Sequence, residues 1–370
     1  MQLSETVKLY LTKEQKMLVI KTMEEYIRTV NALTALAVSG ISIAKYTTAD
    51  VDIDLPSALT NQCIRDAKSI VKKYYKNCHK TVLMNRKRVL KATAPKLPVL
   101  RKPCCYINNQ NFKVNGNSLE FPVMINGKSK RISVATKMTD AQKDVFTSTK
   151  LGTMRIVVKN NAIVAQIVYE VAEPAVCGDG NIMGVDLGIK CPAVSYCSDG
   201  SIKFYGNGRQ NKYMRRHYAY LRKKLQKAKH IKAVKRINDK EQRIMRDTDH
   251  KVSRAIIETA VSKNVTVIKM EQLANVRFSA RTSRKNNHSL HSWSFYRLAQ
   301  FIEYKAKLAG IAVEYVNPAY TSQCCPVCGT KHHAKDRKFD CGCGYKNHRD
   351  VVGAINIHNS TEFVGNRQTA

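Results

Sequence analysis

Three carboxylates stand at the ends of apolar runs, where a buried charge needs a reason. Asp186 lies in Ile-Met-Gly-Val-Asp-Leu-Gly-Ile-Lys, residues 182–190; Glu271 closes Val-Thr-Val-Ile-Lys-Met-Glu, residues 265–271; and Asp350 opens a helix-periodic stretch that carries Val351, Ala354, Ile355 and His358. An ionised carboxylate in a buried element is costly unless a cation sits on it. Three that converge must either shift their pKa values or bind divalent metal. Two Mg²⁺ ions roughly 4 Å apart, or Mn²⁺ in their place, would activate a water and stabilise the leaving oxygen of a phosphodiester. His348 and Arg349, next to Asp350, are placed to orient a carboxylate or a phosphate.

A second set of residues has metal-ligand spacing. Cys325 and Cys328 form a C-x-x-C pair and Cys341 and Cys343 a C-x-C pair, each pair followed by glycine as a knuckle turn requires. Four thiolates fit tetrahedral Zn²⁺, and a zinc with all four positions filled is structural rather than catalytic. Cys324, His332 and His333 stand near enough in sequence to substitute for one ligand. Cys104 and Cys105 read as packing residues. Twelve cysteines in a chain without a cleavable apolar leader argue for a reducing compartment, the cytoplasm or nucleoid, with metal or packing roles in place of disulfides.

The charge balance points to a polyanionic partner. Lys and Arg number 63 against 28 Asp and Glu, a formal net charge of +35, which favours nucleic acid. No apolar run of about 18 residues supports a membrane span. The basic excess peaks at residues 209–254, with 17 Lys or Arg against 4 Asp or Glu and apolar residues at helical spacing. One stripe of this segment should face a core, and Arg215, Arg216, Arg222 and Lys223 are candidates to track a nucleic-acid backbone.

The elements that must position the carboxylates follow from periodicity. From residue 182 the pattern reads strand, strand, strand, long helix, strand, helix, strand, helix. That is the order of a ribonuclease H-like fold, in which the first strand, the fourth strand and the last helix bring their carboxylates to one end of the sheet. Polar, basic residues 275–291 follow Glu271 and read as a mobile lid. Upstream, Val7–Leu11 reads as a strand, and Thr12-Lys-Glu-Gln15 is a capping box opening a helix. A second helix after Pro56 carries Lys72, Lys73, Lys76 and Lys80 and continues to Arg86, Lys87, Arg88 and Lys91. Prolines at 95 and 98 mark a boundary, and hairpin signals at Asn115-Gly116, Asn126-Gly127 and Asn160-Asn161 predict strands that close a small barrel with the N-terminal strand.

These residues resemble a known family: TnpB, the OrfB-type protein of insertion sequences, kin to the compact type V CRISPR nucleases. The resemblance rests on Gly184-Val-Asp-Leu-Gly, Met270-Glu-Gln-Leu, Tyr320-Thr-Ser-Gln-Cys-Cys-Pro-Val-Cys-Gly and Arg349-Asp-Val-Val-Gly-Ala-Ile-Asn. The second cysteine pair is C-x-C where the family more often has C-x-x-C, and residue 348 is His where Asp is frequent. The resemblance implies a mixed α/β and β multidomain chain. Its RuvC nuclease domain (179–316 and 348–370) would carry a zinc-binding insert (317–347) that engages target nucleic acid. An oligonucleotide-binding-type barrel, the wedge (1–12 and 99–178), would carry a helical recognition lobe (13–98). It further implies Asp186, Glu271 and Asp350 as catalytic Mg²⁺ ligands, a guide RNA, and double- and single-stranded DNA as target. The expected activity is RNA-guided DNA cleavage beside a short target-adjacent motif. Strand transfer by the same carboxylates, or guided DNA binding with reduced cleavage, are the alternatives.

Overall fold

A computed structural model describes residues 1–86, 93–159, 162–175, 178–237, 239–273, 293–332 and 337–365. The expected lid at 275–291, the Asn160-Asn161 turn, His333, Lys87, Arg88 and Lys91 lie outside them. The chain forms two compact units, Met1–Ala172 and Glu173–Ala370. Among the described residues no helix is long and apolar enough to cross a membrane.

The first unit is built on a seven-stranded sheet. Its strands are β1 (Gln2–Tyr10), β2 (Cys104–Ile107), β3 (Lys113–Asn115), β4 (Ser118–Ile125), β5 (Lys128–Thr136), β6 (Leu151–Lys159) and β7 (Ala162–Glu170), in the order β2-β6-β7-β1-β5-β4-β3. Asn126 and Gly127 both have positive φ, 50° and 70°, the two-residue turn that matches strand twist and fixes the pairing of Ile125 with Lys128. Residues 2–8 of β1 pair with β7 while Leu9 and Tyr10 pair with β5, so one strand serves both halves and the sheet curls. Helix α1 (Lys13–Val38) starts at the expected capping box on Thr12 and Gln15. It packs with α2 (Ser57–Arg86) onto the sheet: Met23, Tyr26, Leu59 and Cys63 share one core with Phe121, Ile156 and Ile167. Cys105 is buried in that core, in keeping with a packing role. Helix α3 (Asp140–Ser148), capped by Thr139, interrupts the stretch in which the hairpin signals predict strands alone.

The second unit holds a six-stranded sheet of β8 (Asn181–Asp186), β9 (Ala193–Cys197), β10 (Ile202–Tyr205), β11 (Val265–Glu271), β12 (Ala312–Val316) and, after two short strands of a separate hairpin, β15 (Phe363–Gly365). The order is β10-β9-β8-β11-β12-β15, with β8, β11 and β12 parallel and the other pairings antiparallel. The basic segment forms three helices where a single helical run was expected: α4 (Gly208–Lys227), α5 (Ile231–Ile237) and α6 (Lys240–Ser262). The first break falls at Lys229, whose φ of 57° ends α4 without any Gly or Pro to announce it. Helix α7 (Phe295–Leu308) joins α6 on one face of the sheet, where Ile256, Ala260, Leu298 and Ile302 pack on Met183, Val185, Ile268 and Met270. Helix α8 (Arg349–Asn359) covers the opposite face through Val351 and Ala354 against Val194. Between β12 and α8 the chain makes a cysteine-bearing loop and the hairpin of β13 (Lys338–Asp340) and β14 (Lys346–His348).

Candidate active site

Parallel register sets two of the carboxylates side by side. Met270 pairs with Val185, so Asp186 and Glu271 leave adjacent strands at the same end of the sheet. The third arrives on α8, and glycine makes the approach. A Cβ on Gly184 would stand 2.3 Å from the Ala354 carbonyl oxygen and 2.6 Å from the His358 nitrogen, and one on Gly353 would stand 3.1 Å from Asp186 Oδ2. The N-terminus of α8 is capped by His348, whose Nδ1 accepts from the Asp350 amide at 3.3 Å. At the far end of the helix Lys269, on β11, donates to the carbonyls of His358 at 3.2 Å and Ser360 at 2.8 Å.

The electrostatics are those of a carboxylate cluster short of positive charge. Burial, then the charges of Glu271 and Asp350, hold Asp186 well above the usual carboxylate range, with Arg337 and Arg349 opposing. Burial pushes Glu271 up to about 7, against the hydrogen bond that the Thr321 hydroxyl donates to its Oε1. Arg337 donates from Nη1 to Asp350 Oδ1, and Arg349 is anchored to Ser322 Oγ at 3.1 Å. Buried carboxylate oxygens that repel one another are a donor set suited to a hard divalent cation, which would relieve the repulsion.

The cysteines converge as a second site. The sulfurs of Cys325, Cys328, Cys341 and Cys343 all lie within 4.8 Å of one another. Cys325 and Cys343 are 3.7 Å apart and Cys328 and Cys341 3.4 Å, close to the ~3.8 Å that a tetrahedron with Zn–S bonds of about 2.3 Å requires. Gly329 and Gly344, at φ 72° and 90°, make the turns after each pair. His332 Nε2 reaches Cys341 Sγ at 3.1 Å from outside the four. The knuckle is tied to the carboxylates: Asn356 of α8 donates to the carbonyls of Thr321 at 2.6 Å and Cys324 at 2.8 Å, and Thr321 in turn holds Glu271.

Of the basic residues singled out on α4, the structure separates two pairs. Arg216 and Lys223 are exposed, whereas Arg222 and Arg215 turn to Glu241 of α6 at 2.7 Å and 3.9 Å. Thr321, Arg337 and Asn356 were not foreseen as site residues. Thr321 and Asn356 lie inside the motifs that carry the family resemblance, and Arg337 lies in a basic loop with nothing in its sequence to set it apart.

Residues 166–277 match the family described as probable transposase, OrfB of IS605, and residues 295–357 that described as Cas12f1-like, TNB domain. The TnpB-like protein MJ0751 of Methanocaldococcus jannaschii is 31% identical over 269 residues, 69% of this chain and 94% of that protein. The CRISPR-associated endodeoxyribonuclease Cas12f1 of Sulfoacidibacillus thermotolerans is 35% identical over 133 residues, 35% of this chain and 30% of that protein. A solved Cas12f1–sgRNA–target DNA complex superposes over 94% of this chain and 84% of its own with a TM-score of 0.68 at 16% identity, a likeness of fold.

Proposed function

This chain belongs to the TnpB family, and from that premise we propose that it is an RNA-guided DNA endonuclease of a transposable element. It cuts DNA beside a short target-adjacent motif, with base pairing to the guide carrying sequence specificity. The observation that carries this reading is the convergence of Asp186, Glu271 and Asp350 on one end of the sheet, with Asp186 raised by burial and then by the other two charges. The names of the Cas12f1 relative and of the superposed complex support a nuclease that works with RNA and DNA. In this reading residues 1–12 and 99–178 form the wedge, 13–98 the recognition lobe, 179–316 and 348–370 the nuclease domain, and 317–347 the zinc-bearing insert.

The three carboxylates would hold two Mg²⁺ ions, which when bound supply an activated water and stabilisation of the leaving oxygen. The chain's own groups prepare that site. The Thr321 hydroxyl fixes one oxygen of Glu271. Arg337 fixes the Asp350 carboxylate and puts a guanidinium in the cleft beside it, where it could receive a phosphate. Exposed lysines and arginines on the basic helices hold the backbone in a sequence-independent way.

Asp186→Ala, Glu271→Ala and Asp350→Ala should each abolish Mg²⁺-dependent cutting of a guide-matched DNA, by at least ~10³-fold, while guide and target binding persist. The losses should be strongly non-additive, because the carboxylates act as a unit. An Asp350→Ala protein that cuts at near wild-type rate would overturn the assignment. The probable-transposase description favours strand transfer as the second reading. One abundant, defined RNA copurifying with the protein decides for guided cleavage, and joined DNA products formed without RNA decide for strand transfer.

A further inference from the structure

Beside Asp350 lies a cleft of about 420 Å³, lined also by Lys190, Phe204, Arg209, Arg337 and His348. Its volume falls within the range of roughly 300–1,000 Å³ in which small ligands are held. Phe204 is the unusual member. It stands on the edge strand β10, 50% exposed, and takes no part in the core beneath that strand. Its ring meets His348 edge to face, centroids 5.3 Å apart and planes at 84°. His348 is itself fixed, since its Nδ1 caps the helix that carries Asp350. The chain therefore holds a half-exposed aromatic ring in the cleft that the carboxylate lines. Lys190 and Arg209, both exposed, put positive charge in the same cleft.

We propose that this cleft is a subsite for one nucleotide of single-stranded DNA flanking the scissile phosphate, its base stacked on Phe204 and its backbone held by Lys190 and Arg209. The proposal rests on the nuclease reading above, and it commits to DNA because DNA is the strand which that reading brings to Asp350. Single-strandedness follows from the stacking: a base offers its face to a protein ring only when it has left its neighbour in the duplex. Phosphate contacts by Lys and Arg locate the strand without reading it, so the subsite is indifferent to which base arrives.

The test uses the full-length protein with its guide RNA and a target strand carrying 2-aminopurine at successive positions around the cut. Fluorescence is read first in buffer free of divalent ions, and Mg²⁺ is then added to follow cleavage. One position next to the cut should be quenched in the wild type. Phe204→Ala and Phe204→Leu should both remove the quench and raise KM for the strand by roughly tenfold, the size of one base–aromatic stack, with a smaller change in kcat. Phe204→Trp should restore both. An abasic nucleotide at that position should weaken the wild type equally and leave Phe204→Ala no weaker. Unchanged quench and KM in Phe204→Ala would overturn the subsite while leaving the nuclease reading in place. Full function in Phe204→Leu would also overturn it, since leucine retains an apolar contact but has no flat face. A quench that depends on Phe204 without any cleavage by the wild type would instead retire the nuclease reading and keep the DNA subsite. An equal Phe204-dependent quench when the labelled strand is supplied as RNA, or within a duplex that does not match the guide, would overturn the assignment to single-stranded DNA.

Discussion

Glycine at 184 and 353 lets a helix lie against a strand closely enough for the carboxylates to meet, and the two positions do so differently. At Gly184 a Cβ would press into helix backbone on two sides, at 2.3 Å and 2.6 Å, where nothing can rotate away. Gly184→Ala should therefore destabilise the second unit at the upper end of the ~1–3 kcal/mol that overpacking costs, read as a lowered Tm. At Gly353 the contact is the Asp186 side chain at 3.1–3.2 Å, which can give by a few tenths of an ångström. Gly353→Ala should leave stability within about 1 kcal/mol and yet lower kcat for cleavage, because the atom that moves is a carboxylate oxygen. Equal effects of the two substitutions on Tm would refute this division. The convergence of Asp186, Glu271 and Asp350 was legible in the sequence because each stands at the end of an apolar element and the element order brings those ends to one side of the sheet. Thr321, Arg337 and Asn356 were not, since each finds its partner only after the cysteine loop has folded.

The cysteine knuckle shows how an element can matter beyond its own stability. Its four sulfurs are at tetrahedral spacing, and zinc binding in such sites supplies about 10–16 kcal/mol of apparent free energy to local folding. Because Asn356 grips the carbonyls of Thr321 and Cys324, and Thr321 grips Glu271, loss of zinc should propagate to the carboxylates. Elemental analysis should find one zinc per chain, and Cys328→Ser with Cys343→Ser should lower both zinc content and kcat. Active protein purified without chelator and found devoid of zinc would rule the site out. A kcat that survives zinc loss, with only DNA affinity falling, would show that the Asn356–Thr321 tie carries no catalytic consequence. Element order in the second unit was readable from periodicity because its strands and helices bury continuous apolar faces. The break in the basic segment was not readable: Lys229 adopts a left-handed conformation on a stretch that could equally continue as helix. Helix α3 was missed for a related reason, since of its nine residues only Phe146 is buried.

At the scale of the whole molecule the excess of 35 positive charges must be met by something, and α4 separates charges that are free to meet it from charges already used. Arg215 and Arg222 are partly buried against Glu241, whose side chain is 14% exposed, and they tie α4 to α6. Arg216 and Lys223 face solvent. If the exposed pair contacts phosphates, Arg216→Gln with Lys223→Gln should reduce the log–log salt slope of guide-RNA binding by about 1.4, at ~0.7 per single-strand phosphate contact. Affinity should fall to a similar extent for guides of different sequence, since backbone contacts carry no sequence information. Arg215→Gln with Arg222→Gln should do the reverse. Left without its cations, the mostly buried Glu241 loses both ion pairs, which should cost about 1 kcal/mol or more and lower Tm by ~2–4 °C in a unit of this size, with the salt slope nearly unchanged. Measuring slope and Tm for both double variants separates the two roles. A slope that responds to Arg215 and Arg222 but not to Arg216 and Lys223 would mean that the ion pairs to Glu241 open when nucleic acid binds, and that the inward face of α4 is the one that meets the phosphates.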